Sequence, residues 1–258
     1  MNGSLQSIWR YPVKGFTPEA LEAVTLKAGE HLPFDRLYAV EDGPSGFDAA
    51  APRHISKQRF TVLAKIPAVA TIRTAFDDQT GLLRAAAPGH AVFEGDLTGA
   101  TGSVAFADWL AAVLGEDARG PLKVLRAPPA HRFMDDVEGF VSIINLASLR
   151  ALEQVLGRPI DPLRMRANLY VEGWPAWAEA DLADRLIAVG PVRLKGIKTI
   201  TRCLATHVNP ATGARDIELV RALFEAFGHT QCGVYARVVR GGRLERGNAA
   251  TFDLDLDD

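Results

Sequence analysis

The sequence predicts a β-rich α+β protein of two domains. In the first hundred residues, short apolar runs are broken by Pro, Gly and Asp-Asp turns, the pattern of an all-β sheet or barrel. In the second half, strand-like runs alternate with a few segments of helical period. A length of 258 residues lies between one and two typical domains and buries a core without staples. The boundary is expected between residues 95 and 130, giving an N-terminal domain over 1–100 and a second over 120–258.

Ser4 to Tyr11 reads as the first strand, running into the Pro- and Gly-punctuated turn Tyr11-Pro12-Val13-Lys14-Gly15. Ala23 to Leu26 and Arg36 to Val40 follow as strands, and the Gly/Pro/Ala-rich residues 42–53 as an exposed loop. Ile55 to Ile66, Ala68 to Ala75 and Leu82 to Ala86 read as further strands, parted by Pro67 and Asp77-Asp78. The period changes over Ser103 to Leu114, where Val104, Trp109, Leu110, Val113 and Leu114 share one helical face behind a Ser103 cap. Leu122 to Leu125 is a strand, and so is Val141 to Ile144. Asn145 then caps a helix over Leu146 to Leu156 that Gly157 stops. Arg164 to Val171 enters a strand, and Leu186 to Val189 and Val192 to Ile200 form a hairpin across Gly190-Pro191. Asp216 to Phe227 is an amphipathic helix, Gly233 to Val239 a strand, and the tail Asp253 to Asp258 an edge strand.

Composition narrows the function. A net charge of −2 supplies no global electrostatic reason to bind nucleic acid. Two cysteines build no disulfide framework, and the scattered histidines offer no pair at helical ligand spacing, so a structural zinc site is not expected. Met1 to Phe16 lacks the apolar core of a secretory signal, and no apolar run is long enough to span a bilayer. A reducing, cytoplasmic setting with both thiols free is the expectation. No phosphate-binding Gly-rich loop, dinucleotide fingerprint or nucleophile elbow is present.

The chemistry-bearing residues sit in short stretches. Cys203 follows Arg202 at the end of a strand, and a thiolate beside a guanidinium is a ligand that soft metals select. Burial as a small hydrophobe is the commoner fate of a free cysteine, and Cys232 reads as such a packing position. Arg164 and Arg166, at period two near a strand start with Asn168 beyond them, suit fork-like recognition of phosphate or carboxylate. The plainer reading is a surface salt bridge to Asp161 or Glu172. Lys14 is held between Pro and Gly, and Arg36 has Asp35 beside it. Ser142 and Asn145 either meet a ligand or cap a helix. Glu179 and Asp181 are either a carboxylate pair for proton handling or acids that open a short helix. One thiol with Lys14, Arg36, Arg166 and Asn168 forms a long-range set that suits an anionic cofactor carrying a soft metal.

The order of motifs adds a resemblance. Tyr11-Pro12-Val13-Lys14-Gly15, Asp35-Arg36, Ile55-Ser56-Lys57-Gln58, Arg166-Ala167-Asn168, Glu179-Ala180-Asp181, Arg202-Cys203, Asn209 to Gly213 and Gly233-Val234-Tyr235 occur in the order of the MOSC family (molybdenum cofactor sulfurase C-terminal domain). The likeness is to the branch containing bacterial members and the mitochondrial amidoxime-reducing component. It implies an N-terminal β-barrel-like domain packed on a MOSC β-barrel domain with a few peripheral helices. It also implies a molybdenum–molybdopterin cofactor between the two. Cys203 would be the protein ligand to the metal. Lys14, Arg36, Ser56, Ser142, Arg166, Asn168 and Arg202 would hold the pterin and its phosphate, and Asp181 or Glu179 would face the metal's open side. Gln58 stands where the family often has arginine, and Cys232 where phenylalanine is more usual.

Two functions follow from that likeness. One is an oxidoreductase that reduces N-hydroxylated or N-oxide compounds, a small-molecule substrate class. The other is a non-catalytic carrier of the cofactor, or of sulfur on Cys203. Some relatives carry a C-terminal ferredoxin-type iron–sulfur domain. A cluster needs about four cysteines, which this chain lacks, so electrons are expected from a separate ferredoxin- or cytochrome-type protein with its reductase.

Overall fold

The structure is a computed structural model that describes residues 2–252; the expected edge strand over Asp253 to Asp258 lies outside them. The first strands are β1 (Asn2–Arg10), β2 (Glu19–Leu21), β3 (Ala23–Leu26) and β4 (Tyr38–Asp42). Then come β5 (Arg73–Phe76), β6 (Leu82–Ala86), β7 (Phe93–Asp96), α1 (Ala100–Leu114) and β8 (Leu122–Arg126). The second half holds β9 (Val141–Asn145), α2 (Leu146–Leu156), β10 (Leu169–Glu172), β11 (Leu186–Val189) and β12 (Val192–Thr201). The last described elements are α3 (Leu219–Phe227), β13 (Gln231–Arg240), β14 (Gly242–Glu245) and β15 (Ala249–Phe252).

Seven strands close a barrel in the order β10-β9-β13-β12-β11-β15-β1, with β1 pairing back onto β10. Closure leaves the ring without a free edge. Its pairs are antiparallel except β9 with β10. A parallel pair needs a crossover, and α2 lies in that connection. Alternate residues point inward and fill the barrel, Val192 and Leu194 of β12 and Val234, Ala236 and Val238 of β13, joined by Leu5 and Ile8 of β1 on either side of a register shift. A second core, outside the barrel, packs α2 and α3 on its wall through Leu149, Leu152, Leu219 and Leu223.

The third core is built mainly from residues of β4 to β8, with Val13, Phe16, Phe133 and Val208 added from outside that span. There β4 pairs with β8, β5-β6-β7 form a three-stranded sheet, and α1 lays Phe106, Leu110 and Leu114 against them. The cores do not follow chain order. The first strand, β1, is a stave of the second-half barrel, and β3 pairs with β14.

Several elements depart from the sequence pattern. Ile55 to Ile66 is not a strand. The Ser56 hydroxyl accepts the Gln58 N–H and winds a short 3-10 turn over Lys57–Arg59. Phe60, Val62, Leu63 and Ile66 enter the first-half core from this irregular chain, so their burial has no period of two. Pro67 opens another 3-10 turn, which delays β5 to Arg73. Helix α1 begins at Ala100 behind Gly99, and the Ser103 hydroxyl instead donates to Leu97 O at 3.2 Å. Helix α3 begins at Leu219 because the Asp216 carboxylate is held by Arg164 and Asn209. Arg164 and Arg166 do not share a strand face. Arg164 lies in the 3-10 turn Pro162–Met165, and Arg166 follows it in the left-handed region at φ 52°. The Asn145 cap on α2 and the Gly190-Pro191 hairpin are as expected.

Candidate functional site

A cavity of about 420 Å³ opens between the first-half core and the end of the barrel. Its walls come from turns and loops between elements and from three barrel strands. Lys14 and Gly15 follow β1, Arg36 precedes β4, and Lys57 lies in the 3-10 turn that Ser56 caps. Ser142 comes from β9, Arg164 and Arg166 from the turn before β10, Lys198 to Thr201 from the end of β12, and Tyr235 from β13. Arg202 and Cys203 stand where β12 ends.

Five of the cavity's cations touch a carboxylate, while Arg166 and Arg202 are held by backbone carbonyls and, for Arg166, a ring. Lys14 is buried; its ammonium donates to Phe133 O at 2.9 Å and touches the Asp135 carboxylate. Asp35, fully buried, accepts the Tyr11 N–H at 2.8 Å and holds Arg36 at 2.5 Å. Arg36 then donates to Arg166 O at 2.7 Å, and Arg166 donates to Phe16 O at 2.8 Å. The Tyr11 ring meets both guanidiniums, at 4.2 Å from Arg36 and 4.5 Å from Arg166, a cation–π arrangement that keeps two like charges together. Arg202 is spent on carbonyls, Cys232 O at 2.7 Å and Met165 O at 2.9 Å, which ties the Cys203 corner to β13. Arg164 pairs with Asp216 at 2.6 Å and donates to His207 O at 2.9 Å.

Seven cationic side chains (Lys14, Arg36, Lys57, Arg164, Arg166, Lys198, Arg202) and two carboxylates (Asp135, Asp136) line the cavity. Burial pulls the Lys14 ammonium below its usual range, and Asp135 opposes it only in part. Burial also lowers Arg166. Burial works against ionised Asp135, yet Lys14, Lys57 and Arg36 outweigh it and hold the carboxyl well below the usual range. For Lys57 burial is again opposed, by Asp135 and then by contact with Cys203, and the net direction is upward. Burial pushes the Tyr235 phenol up to about 12, so it keeps its proton. The cavity is therefore a concave cationic cup with one partly exposed thiol on its wall.

Lys14, Arg36, Ser142, Arg166, Arg202 and Cys203, far apart in sequence, meet here. Four other expected site residues are elsewhere. Ser56 is exposed and spends its hydroxyl on the turn, leaving Lys57 to face the cavity. Asn168 is buried behind the wall; its side-chain oxygen accepts the Ser142 N–H and hydroxyl, and its amide donates to Trp9 O. Glu179 lies outside the lining, buried among Asn145, Ser148 and the Gly233 N–H, and Asp181 is exposed. The Glu-Ala-Asp stretch forms a 3-10 turn, which sends its two acids to different surroundings. Lys57, Asp135, Asp136, Lys198 and Tyr235 were not legible as site residues. Of these, Lys57, in Ile55-Ser56-Lys57-Gln58, and Tyr235, in Gly233-Val234-Tyr235, lie in motifs that pointed this way.

Residues 2–118 match the profile of the MOSC N-terminal beta barrel domain, and residues 129–251 that of the MOSC domain. The chain belongs to the MOSC-domain family. Within this MOSC protein, 74 residues are 36% identical to mitochondrial amidoxime-reducing component 1 of Mus musculus, 29% of this chain and 21% of that one. The match thus spans about a fifth of that relative's length. The YUAD protein of Bacillus subtilis aligns over 97% of this chain and 94% of its own, at 13% identity and a TM-score of 0.47. YiiM of Geobacillus stearothermophilus covers 45% of this chain and 55% of its own, at 17% identity and a TM-score of 0.35. No described helix is long and apolar enough to cross a membrane.

Proposed function

We propose that this MOSC protein binds a molybdenum–molybdopterin cofactor in the cationic cavity and reduces N-hydroxylated or N-oxide compounds with it. The observation that carries this reading is the pairing of a partly exposed thiol with a strong excess of cations in one cavity. Among the described residues no three His, Cys, Asp or Glu side chains converge on a point. A metal at Cys203 therefore has to bring its other ligands with it, as a dithiolene-bearing pterin does. The phosphate of such a group meets the arginines, whose planar forks suit it.

The residues divide the work. Cys203 would be the protein ligand, and soft thiolate donors suit molybdenum in this setting. Lys14, Arg36, Lys57, Arg166 and Arg202 would neutralise and orient the anionic pterin, with Arg36 and Arg166 both held on the Tyr11 ring. Ser142, set by Asn168, would offer a hydroxyl at the wall. The bound cofactor supplies oxygen-atom and two-electron transfer, the chemistry that reduction of an N–O bond needs. Tyr235, still protonated at neutral pH, holds an O–H in the cavity. Electrons would come from a separate ferredoxin- or cytochrome-type donor with its reductase, in the cytoplasm.

The test is turnover. The protein is purified from a host that makes the cofactor and assayed for reduction of benzamidoxime with reduced methyl viologen. Turnover that is lost in Cys203→Ser is expected. Bound molybdenum without turnover would replace this reading with the carrier one, in which the protein holds the cofactor or its sulfur without reducing a substrate.

A further inference from the structure

Two buried charges near the cavity have no ion-pair partner among the described residues. Glu179 is 2% exposed, and its contacts are Asn145 Nδ2 at 3.1 Å, Ser148 Oγ at 2.8 Å and the Gly233 N–H at 3.3 Å, all donors. Burial pushes the carboxyl up, and these donors favour its ionised form. Arg202 is 8% exposed and spends its guanidinium on Cys232 O at 2.7 Å and Met165 O at 2.9 Å. A buried charge with no opposite charge against it is costly, and here two of opposite sign stand near each other without touching.

One peptide unit joins them. The carbonyl that Arg202 holds and the N–H that Glu179 holds both belong to the peptide between Cys232 and Gly233. In a trans peptide these two groups point opposite ways. The carboxylate therefore lies at the positive end of the peptide dipole and the guanidinium at the negative end. Each charge polarises the unit in the sense that strengthens the other's bond. Gly233 makes the arrangement possible: its φ is +89°, and a Cβ would stand 3.0 Å from an Arg202 nitrogen.

The elements around Glu179 are set to turn it inward. Trp177, two residues before it, takes the left-handed region at φ 67°, a strained place for a bulky residue, and its N–H donates to Ser148 Oγ at 2.8 Å. Asn145 caps α2 with its oxygen and gives its amide to Glu179. On the far side of the peptide, Arg202 carries the hold to the cavity. Its own N–H donates to Thr230 O at 2.8 Å, Cys203 follows it in the chain, and Met165 O lies just before Arg166.

We infer that Glu179 is a positioning residue for the thiol corner: through the Cys232–Gly233 peptide it is the counter-charge of Arg202, and so it fixes where Arg202 and Cys203 stand. It acts on the cavity at one remove and meets no ligand. The pairing stands on the geometry alone; its bearing on metal loading rests on the cofactor reading above.

Proton–nitrogen NMR of the full chain, without cofactor, reads both ends of the peptide. In Glu179→Gln the Gly233 amide and the Arg202 Nε–H signals are expected to move, and the Arg202 Nε–H to exchange with water about ten-fold faster or more. Ser148→Ala removes a donor from the other carboxylate oxygen and is expected to leave that exchange unchanged, which separates positioning from mere loss of stability. Arg202→Gln, read at the Gly233 amide, gives the same test from the other end, so poor folding of one variant does not end it. Iodoacetamide labelling reads the corner itself. Native Cys203 is expected to react faster in Glu179→Gln and in Arg202→Gln, and no faster when the two are combined. An Arg202 signal that ignores Glu179→Gln, the same change in Ser148→Ala, or additive rates in the double variant overturns the inference. Molybdenum content, in protein from a cofactor-making host, separates the two readings. The expected NMR pattern with a molybdenum-free wild type keeps the role of Glu179 and removes the cofactor reading; a loaded wild type without that pattern does the reverse.

Discussion

The two thiols differ in surroundings more than in chemistry. Cys203 is partly exposed on the cavity wall; Cys232 is packed under α2 and α3, and burial pushes it up to about 12. Iodoacetamide is therefore expected to label Cys203 in the native protein, more than about ten-fold faster than Cys232, and both after denaturation. Peptide mass mapping reads this directly, and comparable native rates would show that Cys232 is not sealed. His31 offers a second residue-level test. It stacks on Phe140 at 4.3 Å, and burial, with Arg132 and His131 nearby, lowers it to about 4. The folded state keeps this imidazole neutral while the unfolded chain protonates near its ordinary value of about 6.5. Its stability contribution is therefore complete above about 6.5 and declines as pH falls toward 4. His31→Phe is expected to flatten that part of the denaturation midpoint against pH; an unchanged slope would mean the ring is solvated. At this scale the sequence was informative where a charged or thiol residue sits in a punctuated turn, as Lys14, Arg36 and Cys203 do. Asp135 and Lys198 carry no such mark, because only folding brings the loop before β9 to the end of β12.

Elements were legible where packing and local propensity agree. The barrel strands β9, β12 and β13 and helix α2 lie near their expected bounds, since Asn145 caps and Gly157 stops. The segment from Ile55 to Ile66 was misread because its apolar side chains are buried without strand pairing. Backbone geometry also joins element to site at Gly233. Its φ is +89°, and a Cβ there would stand 2.6 Å from Ile143 O and 3.0 Å from an Arg202 guanidinium nitrogen. Gly233→Ala is expected to lower the unfolding free energy by about 2 kcal/mol or more and to displace Arg202. Urea denaturation measures the first, and weakened phosphate binding the second. A variant as stable as the parent would mean that β13 relaxes at no cost. Leu5 of β1 is fully buried in the barrel, so Leu5→Ala is expected to destabilise the second-half barrel by about 2–5 kcal/mol. That would show that the chain's first strand belongs to the far barrel, a long-range pairing that no local pattern in residues 2–10 reveals.

At the scale of the whole molecule, the cationic cavity exists because many separate stretches of chain, from Lys14 to Tyr235, converge where the first-half core meets the barrel. Its like charges oppose one another until an anion arrives. Pyrophosphate at a hundred times its Kd is expected to raise the unfolding free energy by about 2.7 kcal/mol, with a smaller gain in Arg166→Gln. Thermal unfolding reads this, and equal shifts in both proteins would place the anion elsewhere. The order of motifs across the chain carried more about the site than any one residue did, because each stretch alone has a plainer structural use. The claim that matters most is that Cys203 anchors a molybdenum-bearing anion in this cavity. Elemental analysis of protein purified from a cofactor-making host tests it most directly. About one molybdenum per chain is expected in the wild type and in Cys232→Ser, and a small fraction of that in Cys203→Ser; a molybdenum-free wild type, or equal loading in Cys203→Ser, would contradict it.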